Sequence, residues 1–189
     1  MSKKSRHLPL QPVELEAIHA AVAFANLPRI ESAEQVEALF VAVPLPRDVR
    51  DSMTHLPTVE AVAAFERDQT ELHQWFEQIA QRGSVRPAAM ADIAKLIGTA
   101  IKVTNAHMTF EHSRLAVRYE LAFRGVQSAY SFAVAVLLDT QRTLADRLGK
   151  CPLRDCGQFF FDVGTHGPRQ KYCCAQHANI DRQRKFRRK

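Results

Sequence analysis

The chain has 189 residues, 46% of them hydrophobic and 24% charged, enough for one globular domain, or one domain with a small appended module. No stretch of about 18 apolar residues occurs, so no membrane span is expected, and the basic residues 1–10 lead into no apolar signal core. The formal net charge of +6 is unevenly placed: residues 151–189 hold nine Lys/Arg and three Asp, leaving 17 basic and 17 acidic side chains elsewhere, an asymmetry that points to an anionic partner at that end.

In chain order, residues 1–9 are basic and without periodicity and are expected to be disordered. From Pro12 the pattern is helical, with Leu15, Ile18 and Val22 on one face, and Pro28 closes the helix. Ser32 and Gln35 form a capping box ahead of Val36, Leu39 and Phe40, and Pro44 and Pro46 break the pattern again. A long amphipathic helix is expected from Thr58 to about Gln81, with Val62, Phe65, Leu72, Trp75, Phe76 and Ile79 as its apolar stripe. After a loop bracketed by Gly83 and Pro87, another helix turns Met90, Ile93, Leu96, Ile97 and Ile101 to the core. The period then changes. Residues 115–121, LAVRYEL, alternate as a half-buried strand, and 108–110 can pair with it across a short turn near His112 and Ser113, giving a β-hairpin near 107–121. After Gly125 a helix is expected to about Leu148, presenting Ala129, Phe132, Ala133, Val136, Leu137, Leu144 and Leu148, and leading directly into Cys151.

The fold class this implies is mainly α with a small β-hairpin (α+β): a helical domain over 10–149, then a zinc finger over 150–189. Within the first domain His19, His55, His73 and His107 are scattered. No glycine-rich phosphate loop or nucleophile elbow occurs, so no enzyme is expected.

All four cysteines lie from Cys151 onward. A cytoplasmic location is expected, and clustered cysteines there point to metal before disulfide. Cys151 and Cys156 form a C-x4-C pair; Cys173 and His177 form a C-x3-H pair. Zinc takes four such donors in a tetrahedron. Gly157 suits a tight knuckle whose backbone N–H groups point at the thiolates. QFFFD is expected to be a short strand that turns back toward RQKYC as a hairpin, followed by a helix in which Cys173 and His177, four residues apart, share a face. Knuckle, hairpin and ligand-bearing helix make a treble clef, with Zn2+ held by Cys151, Cys156, Cys173 and His177. Cys174 is the alternative to Cys173, and His166 a weaker candidate. The helical domain is expected to outlast metal loss, because none of these ligands belongs to its core.

CPLRDCGQFFFD…RQKYCCAQHANIDRQRKFRRK resembles the CGNR-type zinc finger, a bacterial module found C-terminal to a mixed α/β domain called ABATE. Cys151, Cys156, Gly157, Phe159 or Phe160, Asp162, Arg169, Tyr172, Cys173 and Asn179 match the family pattern. The usual Cys-Gly-Asn-Arg is replaced by His177-Ala178-Asn179-Ile180, which makes the last ligand a histidine. Residues 1–100 are more helical than the family pattern. The resemblance covers about 40 residues closely and another 40 loosely, and implies a DNA-binding transcription regulator.

The residues point to nucleic acid by themselves. Six of the last eight are basic, and Arg182, Arg184, Lys185, Arg187, Arg188 and Lys189 extend the helix that starts at the metal site, where they can neutralise DNA or RNA phosphates. Arg169 and Lys171, in the hairpin, would carry any sequence preference. Phe186 is expected to pack over the hairpin, with base stacking as its other use. Homo-oligomerisation through the helical domain is a further possible association. The competing reading is an adaptor whose basic helix binds an acidic protein.

Overall fold

A computed structural model describes residues 10–28, 58–111, 114–123, 126–139, 144–164 and 169–187. The expected features at 1–9 and 29–57, the 112–113 turn, His166, Arg188 and Lys189 lie outside them. The described elements are α1 (Pro12–Ala25), α2 (Thr58–Arg82), α3 (Pro87–Ala100), β1 (Ile101–Glu111), β2 (Arg114–Phe123), α4 (Val126–Leu137), a 3-10 turn (Ala145–Arg147), β3 (Leu148–Lys150), β4 (Phe159–Phe161) and α5 (Ala175–Arg187). Mainly helical, with antiparallel two-stranded pairings β1–β2 and β3–β4, the described chain has the expected α+β character.

The helices α1 to α4 pack because each carries an apolar stripe of the right period. In α2, Phe65, Leu72, Trp75, Phe76 and Ile79 are buried and Val62 is partly so. They meet Ile18, Ala21 and Phe24 of α1 and Tyr130, Val134 and Leu137 of α4 in one core. Phe24 stacks on Tyr130 with ring centroids 6.2 Å apart, and Trp75 meets Tyr130 edge-on at 5.7 Å. α1 starts with Pro12 as its first residue, and the Gln11 N–H donates to Glu14 Oε2 at 2.8 Å. Its far end is closed from α2: Gln69 Nε2 donates to the Leu27 carbonyl at 2.8 Å and the Phe24 carbonyl at 3.3 Å. The Phe24 carbonyl also accepts from the Leu27 N–H at 3.3 Å, so Gln69 adds to a turn that already closes the helix.

Several expectations are corrected. Met90 is 45% exposed, so α3 turns Ile93 and Ile97 inward but not Met90. Ile101 belongs to β1, not to a helix face, and the β1–β2 ladder runs from Ile101↔Phe123 to Glu111↔Arg114, well beyond 107–121. The helix after Gly125 ends at Leu137. Leu144 and Leu148 are buried, but they reach the core from the 3-10 turn and from β3. Their spacing mimics a helical stripe; β-pairing with the Phe159–Phe161 run determines the local structure instead. On α4, Tyr130 and Val134 are more deeply buried than Phe132, because α1, α2 and α3 all press on this helix.

β4 pairs with β3 and not with 169–173: the register is Leu148↔Phe161, Gly149↔Phe160, Lys150↔Phe159. Two bonds extend the ladder, Arg147 C=O accepting from Asp162 N–H at 2.9 Å and Gln158 C=O from Cys151 N–H at 2.8 Å. Side chains alternate along a strand. Phe159 and Phe161 therefore enter the helical core, while Phe160 lies across Gly149. A Cβ on Gly149 would sit 2.5 Å from the Phe160 ring, so this position of β3 has no room for a side chain while that ring stays where it is.

Candidate metal centre

The β3–β4 hairpin carries the first two ligands in its loop. Cys151 follows β3 directly and is buried, and Cys156 closes a turn in which its N–H donates to the Leu153 carbonyl at 3.0 Å. Gly157 then takes φ +63, a left-handed conformation that costs a side-chain-bearing residue energy and lets the chain reverse into β4. The return path is fixed by Asp162. Its buried carboxylate accepts from Gly164 N–H at 2.9 Å and Gln170 N–H at 3.1 Å, tying both ends of the connection to the end of β4. Burial works against this charge, but the two amides, with Arg169 and Arg147, hold its pKa below the usual value. The chain thus arrives with Cys173 beside Cys156, and α5 starts two residues later with His177 in its first turn.

The structure brings Cys151, Cys156, Cys173 and His177 together, with one donor atom from each within 4.8 Å of the others, a group that could hold a metal ion. Cys156 Sγ and Cys173 Sγ are 3.6 Å apart; His177 Nδ1 lies 3.7 Å from Cys151 Sγ and 3.0 Å from Cys173 Sγ. A tetrahedron with Zn–S of about 2.3 Å and Zn–N of about 2.0 Å has S–S edges near ~3.8 Å and S–N edges near ~3.6 Å. Two of the three distances match those edges; the third requires the imidazole to move outward by roughly half an ångström. Cys174 is exposed and outside the group.

The thiols show the strain of crowding. Burial pushes Cys151 up, but the amides of Cys173 and Leu153, with His177 and Cys156, outweigh it and hold the thiol at about 7. Cys173 is pushed up, by burial first and then by the neighbouring sulfurs of Cys156 and Cys151. Thiolates this close repel one another unless a cation sits among them, so the donor set fits a metal ion.

The expected basic residues are placed around this centre. Arg169 and Lys171 are exposed on the segment ahead of Cys173. α5 buries none of its residues, and Arg182, Arg184, Lys185 and Arg187 are exposed on it. Two of the four are paired: Arg184 with Asp155 at 3.4 Å, and Lys185 with Asp181 at 2.6 Å. Tyr172 O–H also donates to Asp181 at 2.6 Å, fastening the helix to the ligand segment. Phe186 does not pack over the hairpin; it is 83% exposed, on a helix that buries none of its residues.

The centre is joined to the helices by contacts that the sequence did not disclose. The Asn26 amide, at the end of α1, grips β4 along its free edge: Asn26 Nδ2 donates to the Phe159 carbonyl and Asn26 Oδ1 accepts from Phe159 N–H, both at 2.8 Å. His73 and Phe76 of α2 meet the Phe159 ring edge-on at 4.9 and 5.5 Å. Lys150 lies over the same ring and pairs with Glu77. Beside these contacts, a cleft of about 710 Å³ lined in part by Asn26, Gln69, His73, Cys156 and Gly157 leaves one side of the centre open to solutes. The only signal for the Asn26 clamp was an asparagine at a helix end, which by itself reads as an ordinary cap.

No family model matches the chain, and no curated protein sequence matches it.

Proposed function

We propose that residues 148–189 form a zinc-stapled nucleic-acid-binding unit, and that the protein is a DNA-binding transcription regulator of the kind the CGNR resemblance implies, with its helical body sensing a signal or pairing with a second copy. The observation that carries this reading is a helix with no buried residue, rich in cations, that starts on a Cys3His cluster. Three sulfurs and one imidazole in a near-tetrahedral group favour zinc over hard cations such as magnesium or calcium. Four protein donors close the coordination sphere and leave no position for a reacting water, which makes the metal structural. A knuckle in a hairpin loop, followed by a helix that begins at the last two ligands, supports the treble-clef description.

The test is a gel shift of the zinc-loaded protein on random-sequence duplex DNA over a range of salt, beside a form lacking residues 182–189. The truncation removes six positive charges and no proposed ligand. The two ion pairs it breaks have exposed cations, and such surface pairs add little stability, so zinc content should hold. If the segment neutralises about four phosphates, the slope of log K against log salt flattens by roughly 3 to 4. DNA binding indifferent to both salt and truncation would remove the nucleic-acid reading. The adaptor reading is favoured by one observation, Phe186 standing exposed among cations, a surface suited to an acidic peptide with an apolar residue. Saturable binding to such a peptide, without binding to DNA, would put it ahead.

A further inference from the structure

One face of α5 is tied to the metal module and the opposite face is not. Arg184 and Lys185 are held by Asp155 and Asp181, and Asp181 also by Tyr172. These bonds fix how the helix is rotated about its axis. Asn179, Arg182, Gln183 and Phe186 stand at i, i+3, i+4 and i+7, one stripe along the other face. With Arg187 they line a shallow groove of about 410 Å³. All five are exposed, and among the described residues Arg182 and Arg187 have no ion-pair partner.

We propose that this stripe reads base edges in the major groove of duplex DNA. The inference rests on the nucleic-acid reading above and moves any sequence preference from Arg169 and Lys171 to α5. Neutralising phosphates needs cations, and the stripe holds only one. Its other members are two carboxamides and an aromatic ring. A carboxamide pairs with adenine through two bonds, its oxygen accepting from adenine N6–H and its N–H donating to adenine N7. Arginine makes the corresponding pair of bonds to guanine O6 and N7, and an apolar side chain meets the thymine methyl. From Asn179 to Phe186 the helix rises roughly 10 Å, the length of about three base-pair steps at ~3.4 Å each. The major groove, about 12 Å wide, admits one helix. A charge of +6 concentrated at this end complements the phosphates on either side, which Arg187, Arg169 and Lys171 are placed to meet.

The experiment uses the full-length, zinc-loaded protein. A randomised duplex pool is selected for binding, and affinity is then measured for the selected duplex and a scrambled one at several salt concentrations. The expected site is about three to four base pairs per module, with adenine and guanine concentrated on one strand. Asn179→Ala or Gln183→Ala should lower the selected-to-scrambled ratio by roughly 5- to 100-fold and leave the salt slope unchanged. Arg187→Ala should weaken both duplexes alike and flatten the slope by about 0.9. Zinc content and helical circular dichroism, measured on each variant, separate loss of contact from loss of fold. If no sequence is enriched, or if the amide variants weaken both duplexes equally, base reading by this stripe is overturned while phosphate binding stands. Absence of salt-dependent binding to any duplex overturns the nucleic-acid reading, and this inference with it. Preference for single strands, abolished by Phe186→Ala, would also overturn it.

Discussion

At the scale of single residues, Asn26 shows how much one side chain can hold. Its amide satisfies both backbone groups of Phe159 on the edge that β3 does not reach. Asn26→Ala leaves a buried N–H and C=O without partners and should cost about 2–4 kcal/mol, read from urea unfolding at fixed zinc. Asn26→Asp keeps the acceptor but turns a carboxylate oxygen toward a carbonyl, so it should be no better. A loss below about 0.5 kcal/mol would mean that water replaces the amide. Asp68 on α2 works in the opposite sense. Burial raises its pKa from 3.8 to about 6; a hydrogen bond with Tyr130 opposes this, and Glu71 adds to it. A carboxyl whose folded pKa lies above its unfolded value destabilises the fold when ionised. The cost is therefore nearly full above about pH 6, shrinks as the pH falls, and vanishes below the unfolded value of 3.8. Asp68→Asn should be more stable than the parent at pH 7.5, by up to about 3 kcal/mol, with the gain down to about 1 kcal/mol near pH 4.5 and gone below about pH 3. His73, whose pKa is lowered by burial and by Lys150, titrates in both proteins and cancels in the difference. A gain independent of pH would show that Asp68 stays charged at no cost.

At the scale of elements, the start of α5 decides which cysteine matters. Cys173 lies in the donor cluster and Cys174 points out of it. Cys173→Ser should lose most of the bound zinc, as should His177→Ala, while Cys174→Ser should keep it; equal losses in elemental analysis would show that the two thiols exchange. The long, strongly periodic elements were legible in the sequence. α2 was expected over Thr58 to about Gln81 and runs over Thr58–Arg82; the alternation in LAVRYEL gave β2 its position. The short elements were not legible. β3 is Leu-Gly-Lys, too brief to show a period, and Leu144 and Leu148 continue the spacing of α4 although the helix has already ended. Without β3, the Phe159–Phe161 run had no visible partner and was assigned the wrong one. The ligand spacing was legible because metal chemistry permits few donor types at short range. Phe186 stands exposed because a single aromatic among cations gives α5 no apolar stripe to bury.

At the scale of the whole molecule, the metal-bearing hairpin and the helices share a core. None of the four ligands belongs to it, but Phe159, Phe161 and Leu148 do. The expectation that the helices outlast metal loss therefore gives way to a coupled one. If the hairpin lifts when a chelator enters by the open cleft, the two phenylalanines forfeit roughly 3–6 kcal/mol of burial. At about 2–4 °C per kcal/mol, the helical signal should melt some 10 °C lower and in one transition. An unchanged helical melt after zinc removal would show that the hairpin stays seated without its ion. The Asn26–Phe159 clamp spans 133 positions of sequence, and that separation bears on synthesis. A chain made from its N-terminus at ~5–20 residues per second keeps Asn26 waiting roughly 7–27 s for its partner. Throughout that interval the rings of His73 and Phe76 face a gap where Phe159 belongs. The nascent helical body is thus a sticky intermediate, and the window for wrong association closes only when β4 emerges and docks.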